Sequence, residues 1–274
     1  MRTSMLKLRI LTASILGCVL LTGLFLLAPR WTILAFGAVW LVGAWEWGGF
    51  GALHSLPLRL LYCCAIGLLQ ALSWWWTEEP AHLVVLLAAA CAWWAAAFAW
   101  LLLAPQWHRP RLALLCGIPV LVPSFIALGR LVLAGHGPVG GPMIVLWLVL
   151  LVIASDIGAF FVGRRYGRRK LAPRVSPGKT WEGAVGGLCT VVLIALGGAR
   201  IFGFPVGLSI GFGCAVGIFS VIGDLTESMF KRAAGLKDSG VILPGHGGVL
   251  DRIDSVTAAA PLYALGLFGS GVIA

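Results

Sequence analysis

The chain has 274 residues and a formal charge of +10, yet only 11% of its residues are charged and 60% are hydrophobic. Soluble domains carry about 25% charged residues, so this composition excludes an ordinary water-soluble globule and, with its long apolar runs, points to a polytopic membrane protein. The positive balance suits anionic lipid or a polyphosphate; nucleic acid is excluded as a partner, because the cations sit in short loops between apolar runs.

Nine stretches approach the roughly 20 apolar residues that a helix needs to cross hydrocarbon. They are 10–28, 31–47, 58–76, 82–104, 112–134, 141–163, 183–199, 204–223 and 256–273. Helix is expected throughout, since it satisfies its own backbone in lipid. Residues 1–9 followed by an apolar run are built like a signal peptide. The run is span-length and eight more follow, which predicts a retained first helix. With the N-terminus inside, all of the 20 lysines and arginines fall on the inner side except Arg30, Arg130 and Arg200. That asymmetry predicts a cytoplasmic N-terminus.

Residues 1–140 read as apolar scaffold spans. Trp74, Trp75 and Trp76 end the third span as an interfacial belt. Glu46, between Trp45 and Trp47, is either structural or lines a site. Residues 141–274 hold the remaining carboxylates of interest and the longest basic loop, and no linker separates the two parts. The expectation is one membrane domain over 1–274, with scaffold spans in 1–140 and catalytic spans and cytoplasmic loops in 141–274. The seven cysteines lie in or beside spans without a CxxC pair, and read as small buried hydrophobes.

Asp156 lies well inside the sixth span, where a carboxylate needs a partner or a wet cavity. The following loop, 164–183, is RRYGRRKLAPRVSPGKTWEG. Its Arg164–Lys170 portion suits lipid headgroups. Ser176, Lys179 and Thr180 form a short phosphate-binding candidate that lacks the GxxxxGK[ST] spacing, and Glu182 stands beside them at the mouth of the seventh span.

Charge concentrates between Gly223 and Asp254, where Asp224, Glu227, Asp238, Asp251 and Asp254 accompany Lys231, Arg232, Lys237, His246 and Arg252. Charge in a membrane protein is costly and marks function. If the eighth span continues as helix past Gly223, Asp224, Glu227, Ser228 and Lys231 share one face. Asp251 and Asp254 share a face at the start of the ninth. These antiparallel helices can bring their carboxylates together, a donor set that suits Mg²⁺ and a substrate phosphate. The lysines and arginines would neutralise phosphate oxygens. Gly247 and Gly248 permit close backbone approach to a ligand, and His246 reads as a phosphate donor or a loop-ordering group.

The run SMFKRAAGLKDSGVILPGHGGVLDRID, from Ser228 to Asp254, resembles the C-terminal motif of the phosphatidate cytidylyltransferases. No position of that motif departs from the pattern. Gly223-Asp224-Leu225 with Glu227, SPGKTWEG at 176–183 and Ser155-Asp156 extend the match. The resemblance implies an all-α polytopic enzyme of the inner membrane with its site facing the cytoplasm. The implied reaction is CTP plus phosphatidic acid giving CDP-diacylglycerol and pyrophosphate in phospholipid synthesis. It further implies Mg²⁺, with a second cation left open, and a homodimer. On this reading Asp224, Asp251, Lys231, Arg232, Arg252 and Ser228 are catalytic. Asp224, Asp251, Asp254 and Glu227 hold metal. Ser176, Lys179, Thr180, Glu182, Lys237, Asp238, His246, Gly247, Gly248 and Asp156 bind substrate. Competing readings are a CTP-dependent polyprenol kinase, which would release CDP, and a transporter, which would need polar residues spread through spans that here lack them.

Overall fold

The computed structural model describes residues 2–105, 109–136, 139–271 and 273. The side chains of Arg2 and Arg9, counted among the inner cations, and Val272 of the last expected span lie outside the described residues. Among the described residues nine helices follow in order: α1 (Arg2–Phe25), α2 (Pro29–Phe50), α3 (Leu56–Trp76), α4 (Pro80–Leu103), α5 (Pro110–Leu133), α6 (Gly141–Tyr166), α7 (Trp181–Phe202), α8 (Val206–Ala233) and α9 (Leu250–Gly269). Proline occupies the first or second position of α2 to α6, where its missing N–H costs nothing. Gly203 ends α7 in the left-handed conformation.

All nine expected spans coincide with helices. Seven of these, α2 to α8, are long and apolar enough to cross a membrane. The apolar part of α1 is shorter, Ile10–Phe25. Helix α9 begins with Asp251, Arg252 and Asp254, and it is interior: it packs against α4, α5 and α8, with Ala258, Ala259, Ala260 and Ala264 fully buried. Small residues allow that close approach. A helix screened from lipid by its neighbours need not be uniformly apolar. Helix α5 is the other interior element and tolerates Pro119 and Pro123. A single buried cluster runs through both halves of the chain, from Leu24 to Ile273.

Successive helices alternate in direction, which sets the loops 51–55, 167–180 and 234–249 at one end, together with the C-terminus of α4 and the N-terminus of α5. Contacts between neighbouring helices agree: Trp47 Nε1 donates to Ala113 O at that end, and Arg130 Nη2 donates to Trp74 O and Thr77 Oγ1 at the other. Two small antiparallel hairpins interrupt the helical pattern. One pairs β1 (Gly135–His136) with β2 (Val139–Gly140); the other pairs β3 (Lys170–Ala172) with β4 (Ser176–Thr180). The second contains the expected phosphate-loop candidate.

Trp74, at the end of α3, packs on Phe125, with the Arg130 guanidinium 4.4 Å from its ring. One local expectation is corrected. The cysteines are all free, as expected, but Cys18, Cys64 and Cys189 are exposed rather than buried. Where the environment is lipid, exposure carries no penalty for a small apolar side chain.

Candidate active site

Helix α8 continues ten residues beyond Gly223, so Asp224, Glu227, Ser228 and Lys231 do fall on one face. That face turns to α9. At Gly223 the two helices come so close that an added Cβ would strike the Asp254 carbonyl. The loop between them folds back through glycines in positive-φ conformations at 235, 245 and 247, which L side chains rarely adopt. The hairpin so formed brings the carboxylates of the two helices together.

Two lysines organise the cluster. Lys231 Nζ lies 2.5 Å from Asp251 Oδ1 and 3.0 Å from Glu227 Oε1, and all three side chains are nearly inaccessible. Lys179 reaches from β4 to place its Nζ 2.5 Å from Asp224 Oδ2, in a more open position. Ser228 Oγ donates to Asp224 Oδ1 at 3.2 Å. Asp254 Oδ1 accepts from Ser255 N at 2.6 Å, and its charge is felt by Glu227, as that of Asp224 is felt by Asp254. Four carboxylates thus crowd around two ammonium groups. Asp156, on α6, is exposed and within electrostatic reach of Lys179, Asp224 and Arg252. It therefore belongs to the same neighbourhood.

Asp251 is the most fully engaged acid. Its Oδ1 faces Lys231, while its Oδ2 accepts from Ser239 N, Ser239 Oγ and Gly248 N, each at 2.9 Å. Glu227 is the opposite case. It is 3% exposed, its Oε1 meets only Lys231 Nζ at 3.0 Å, and among the described residues no donor reaches its Oε2. Buried acceptors normally find donors. An unmet lone pair of this kind could receive a cation.

Among the described residues no three His, Cys, Asp or Glu groups come close enough to cage a metal unaided. Mg²⁺ does not need a cage of that kind. It takes one or two carboxylates and completes its octahedron with water and substrate phosphate oxygens. Glu227, with its unmet lone pairs, and the neighbouring Asp254 and Asp224 fit that mode.

The remaining candidates divide. Arg232 and Arg252 are exposed beside the cluster and are held by carbonyls: Arg232 Nη1 donates to Leu236 O and Arg252 Nη2 to His246 O. His246 Nδ1 meets Thr12 Oγ1, tying the loop to α1. Lys237 and Asp238 are exposed on the same loop. Thr180 is buried and caps α7, accepting from Gly183 N at 3.1 Å. Glu182 accepts from the backbone N–H groups of Arg168 and Arg169, bracing the turn before β3 rather than joining the cluster. Ser176 opens β4, three residues before Lys179. Gly247 and Gly248 do allow a close approach, but to the chain's own acids. A Cβ at Gly247 would crowd Asp251 and Asp238, and one at Gly248 would strike Ser239 and Glu46.

Glu46 is the residue whose role the sequence left open. From α2 it accepts from Val249 N at 3.1 Å, Leu250 N at 2.8 Å and Ser239 Oγ at 3.0 Å, and it is 3% exposed. The only signal available was its isolation: it is the one carboxylate within the apolar spans of residues 1–140.

Comparison with known proteins places nearly the whole chain among relatives of one kind. The cytidylyltransferase family model matches residues 7–268. A protein of Haemophilus influenzae named phosphatidate cytidylyltransferase is 41% identical over 95% of this chain and 98% of its own length. The Pseudomonas aeruginosa protein of the same name is 42% identical over 97% and 98%, and that of Brucella suis 36% identical over 97% and 94%.

Proposed function

Because the chain belongs to the cytidylyltransferase family, we propose that it transfers a cytidylyl group from CTP to phosphatidic acid, giving CDP-diacylglycerol and pyrophosphate. The observation that carries this reading is the lysine–carboxylate ladder along α8, with Lys179 and Lys231 each held against acids at the end of the helices that bears the basic loops. One substrate is a lipid and the other a soluble polyanion, and a cation-rich site near the membrane surface can receive both.

The attacking oxygen belongs to the phosphate of phosphatidic acid. A phosphate monoester has its second pKa near 6, so this oxygen is ionised at neutral pH and no protein base need deprotonate it. The chain's work is to hold the two phosphates in line and to neutralise their charge. Lys231 and Lys179 exchange part of their pairing with acids for phosphate oxygens. Arg232 and Arg252, exposed at the rim, collect the triphosphate, and Ser228 orients a phosphoryl oxygen. Asp251 keeps Lys231 in place through the opposite edge of its carboxylate. Glu227, Asp254 and Asp224 would hold Mg²⁺, which when bound screens the triphosphate and polarises its phosphoryl oxygen. Cytoplasmic orientation follows from the basic loops. An inner-membrane location and a homodimer belong to the same reading.

The test is pyrophosphate release by purified protein in mixed micelles, omitting CTP, Mg²⁺ or phosphatidic acid in turn. Release should require all three and fall at least about a hundredfold in Asp251→Asn, the scale of a lost charge-positioning contact. CDP formation on a lipid alcohol, without pyrophosphate, would replace this reading with a lipid kinase.

A further inference from the structure

We propose that Glu46 is a positioning residue of the active site, acting from α2 through Ser239 on Asp251; this rests on the reaction proposed above. Helix α9 starts at Leu250 behind Val249, a residue with no side-chain acceptor to offer its first N–H groups. Asp251 follows directly. A helix start without a cap frays, and fraying here would move the acid that holds Lys231. Glu46 supplies the cap from another helix: its two carboxylate oxygens take Val249 N and Leu250 N separately.

The same carboxylate also takes part in setting Asp251 itself. Ser239 Oγ lies 3.0 Å from Glu46 Oε2 and 2.9 Å from Asp251 Oδ2. A hydroxyl has one hydrogen, so it serves one carboxylate at a time. Glu46 and Asp251 therefore share a donor, and a change at Glu46 alters the hydrogen bonding of Asp251. The loop is shaped around this contact. A Cβ added at Gly240 would collide with the Glu46 carboxylate, and one at Gly248 with both Glu46 and Ser239. Two glycines of the motif are thus fitted to an acid almost 200 residues earlier in the chain. Among the described residues no lysine or arginine pairs with Glu46, so its charge is met by these donors and by the positive end of α9.

The experiment compares wild type, Glu46→Ala, Glu46→Gln, Ser239→Ala and the Glu46→Ala/Ser239→Ala double variant in mixed micelles, measuring kcat and the KM for CTP alongside amide hydrogen exchange over 238–250. Glu46→Ala should lower kcat by about tenfold to a hundredfold, the cost of a misplaced reacting group, with the KM for CTP within about threefold. If Ser239 is the relay, the double variant loses no more than the worse single. Glu46→Gln keeps one carbonyl acceptor and should fall between wild type and Glu46→Ala. The Val249 and Leu250 amides should exchange faster in Glu46→Ala but not in Ser239→Ala. Unchanged kcat in Glu46→Ala, or losses that multiply in the double variant, overturns the proposal. Should Glu46→Ala not fold, Glu46→Gln and Ser239→Ala carry the same comparison. The exchange arm is independent of chemistry: a wild type that releases no pyrophosphate refutes the proposed reaction, whereas unprotected Val249 and Leu250 amides in wild type refute the positioning role.

Discussion

Replacing Lys231 by methionine isolates the electrostatics of the cluster. Methionine keeps much of the length and packing and removes only the charge. Lys231 is 7% exposed and is the single ammonium contacting both Glu227 and Asp251. Breaking a buried pair by deleting one partner costs about 3–5 kcal/mol. At about 2–4 °C per kcal/mol for chains of roughly this size, Tm in detergent should drop by roughly 6–20 °C. The cost should not divide evenly. Asp251 retains two backbone N–H donors on Oδ2 and a share of the Ser239 hydroxyl, whereas Glu227 retains none. Most of the loss should therefore fall on Glu227, and Glu227→Gln added to Lys231→Met should recover at least half of it. Lys237→Met, on the exposed loop, is the control and should stay within about 0.5 kcal/mol. Thermal denaturation of the four proteins in one detergent decides the matter. A Lys231→Met protein within about 2 °C of wild type, or a double variant no more stable than the single, would refute the reasoning.

Two further predictions separate roles that the motif alone leaves merged. Glu182→Gln should keep pyrophosphate release within about threefold of wild type, because Glu182 braces two backbone N–H groups outside the cluster and touches neither lysine; a loss beyond a hundredfold would return it to the substrate site. Val241, 92% exposed in the α8–α9 loop, replaced by cysteine in a cysteine-free background, should react with an impermeant maleimide in inside-out vesicles and not in right-side-out spheroplasts. The reverse pattern would invert the topology.

The spans were legible because hydrocarbon thickness imposes a length on sequence, and even the Gly-interrupted α2 and the short seventh stretch formed helices. The extension of α8 was legible as a conditional, from the i, i+3, i+4, i+7 spacing of Asp224, Glu227, Ser228 and Lys231. The contact of Lys231 with Asp251 could be expected only once two adjacent helices were taken as antiparallel. Thr180 and Glu182 sit inside a motif, and a motif gives positions without roles; capping and bracing emerge from backbone N–H groups that no side-chain pattern encodes. Glu46 lay furthest out of reach. Its partners are some 200 residues away, and two of the three are main-chain donors, so neither spacing nor composition points to them.

Helix α8 is longer than the hydrocarbon core of a bilayer is thick. Its 28 residues measure about 42 Å at 1.5 Å per residue, against a hydrocarbon core of about 30 Å. The surplus, about 12 Å, is nearly the axial distance from Asp224 to Lys231 on the same rise. On the proposed reaction the helix would act as a height gauge through the headgroup layer, with acids and a lysine as its graduations. Asp224 and Lys179 would mark the lower reading, at the level a glycerol-linked phosphate can reach without lifting its acyl chains into water, and Lys231 the upper, where a soluble nucleotide arrives. A bilayer thicker by several ångströms would submerge the lower mark and a thinner one would strand it, so turnover should respond to acyl-chain length in the host membrane even when the substrate's own chains are held constant.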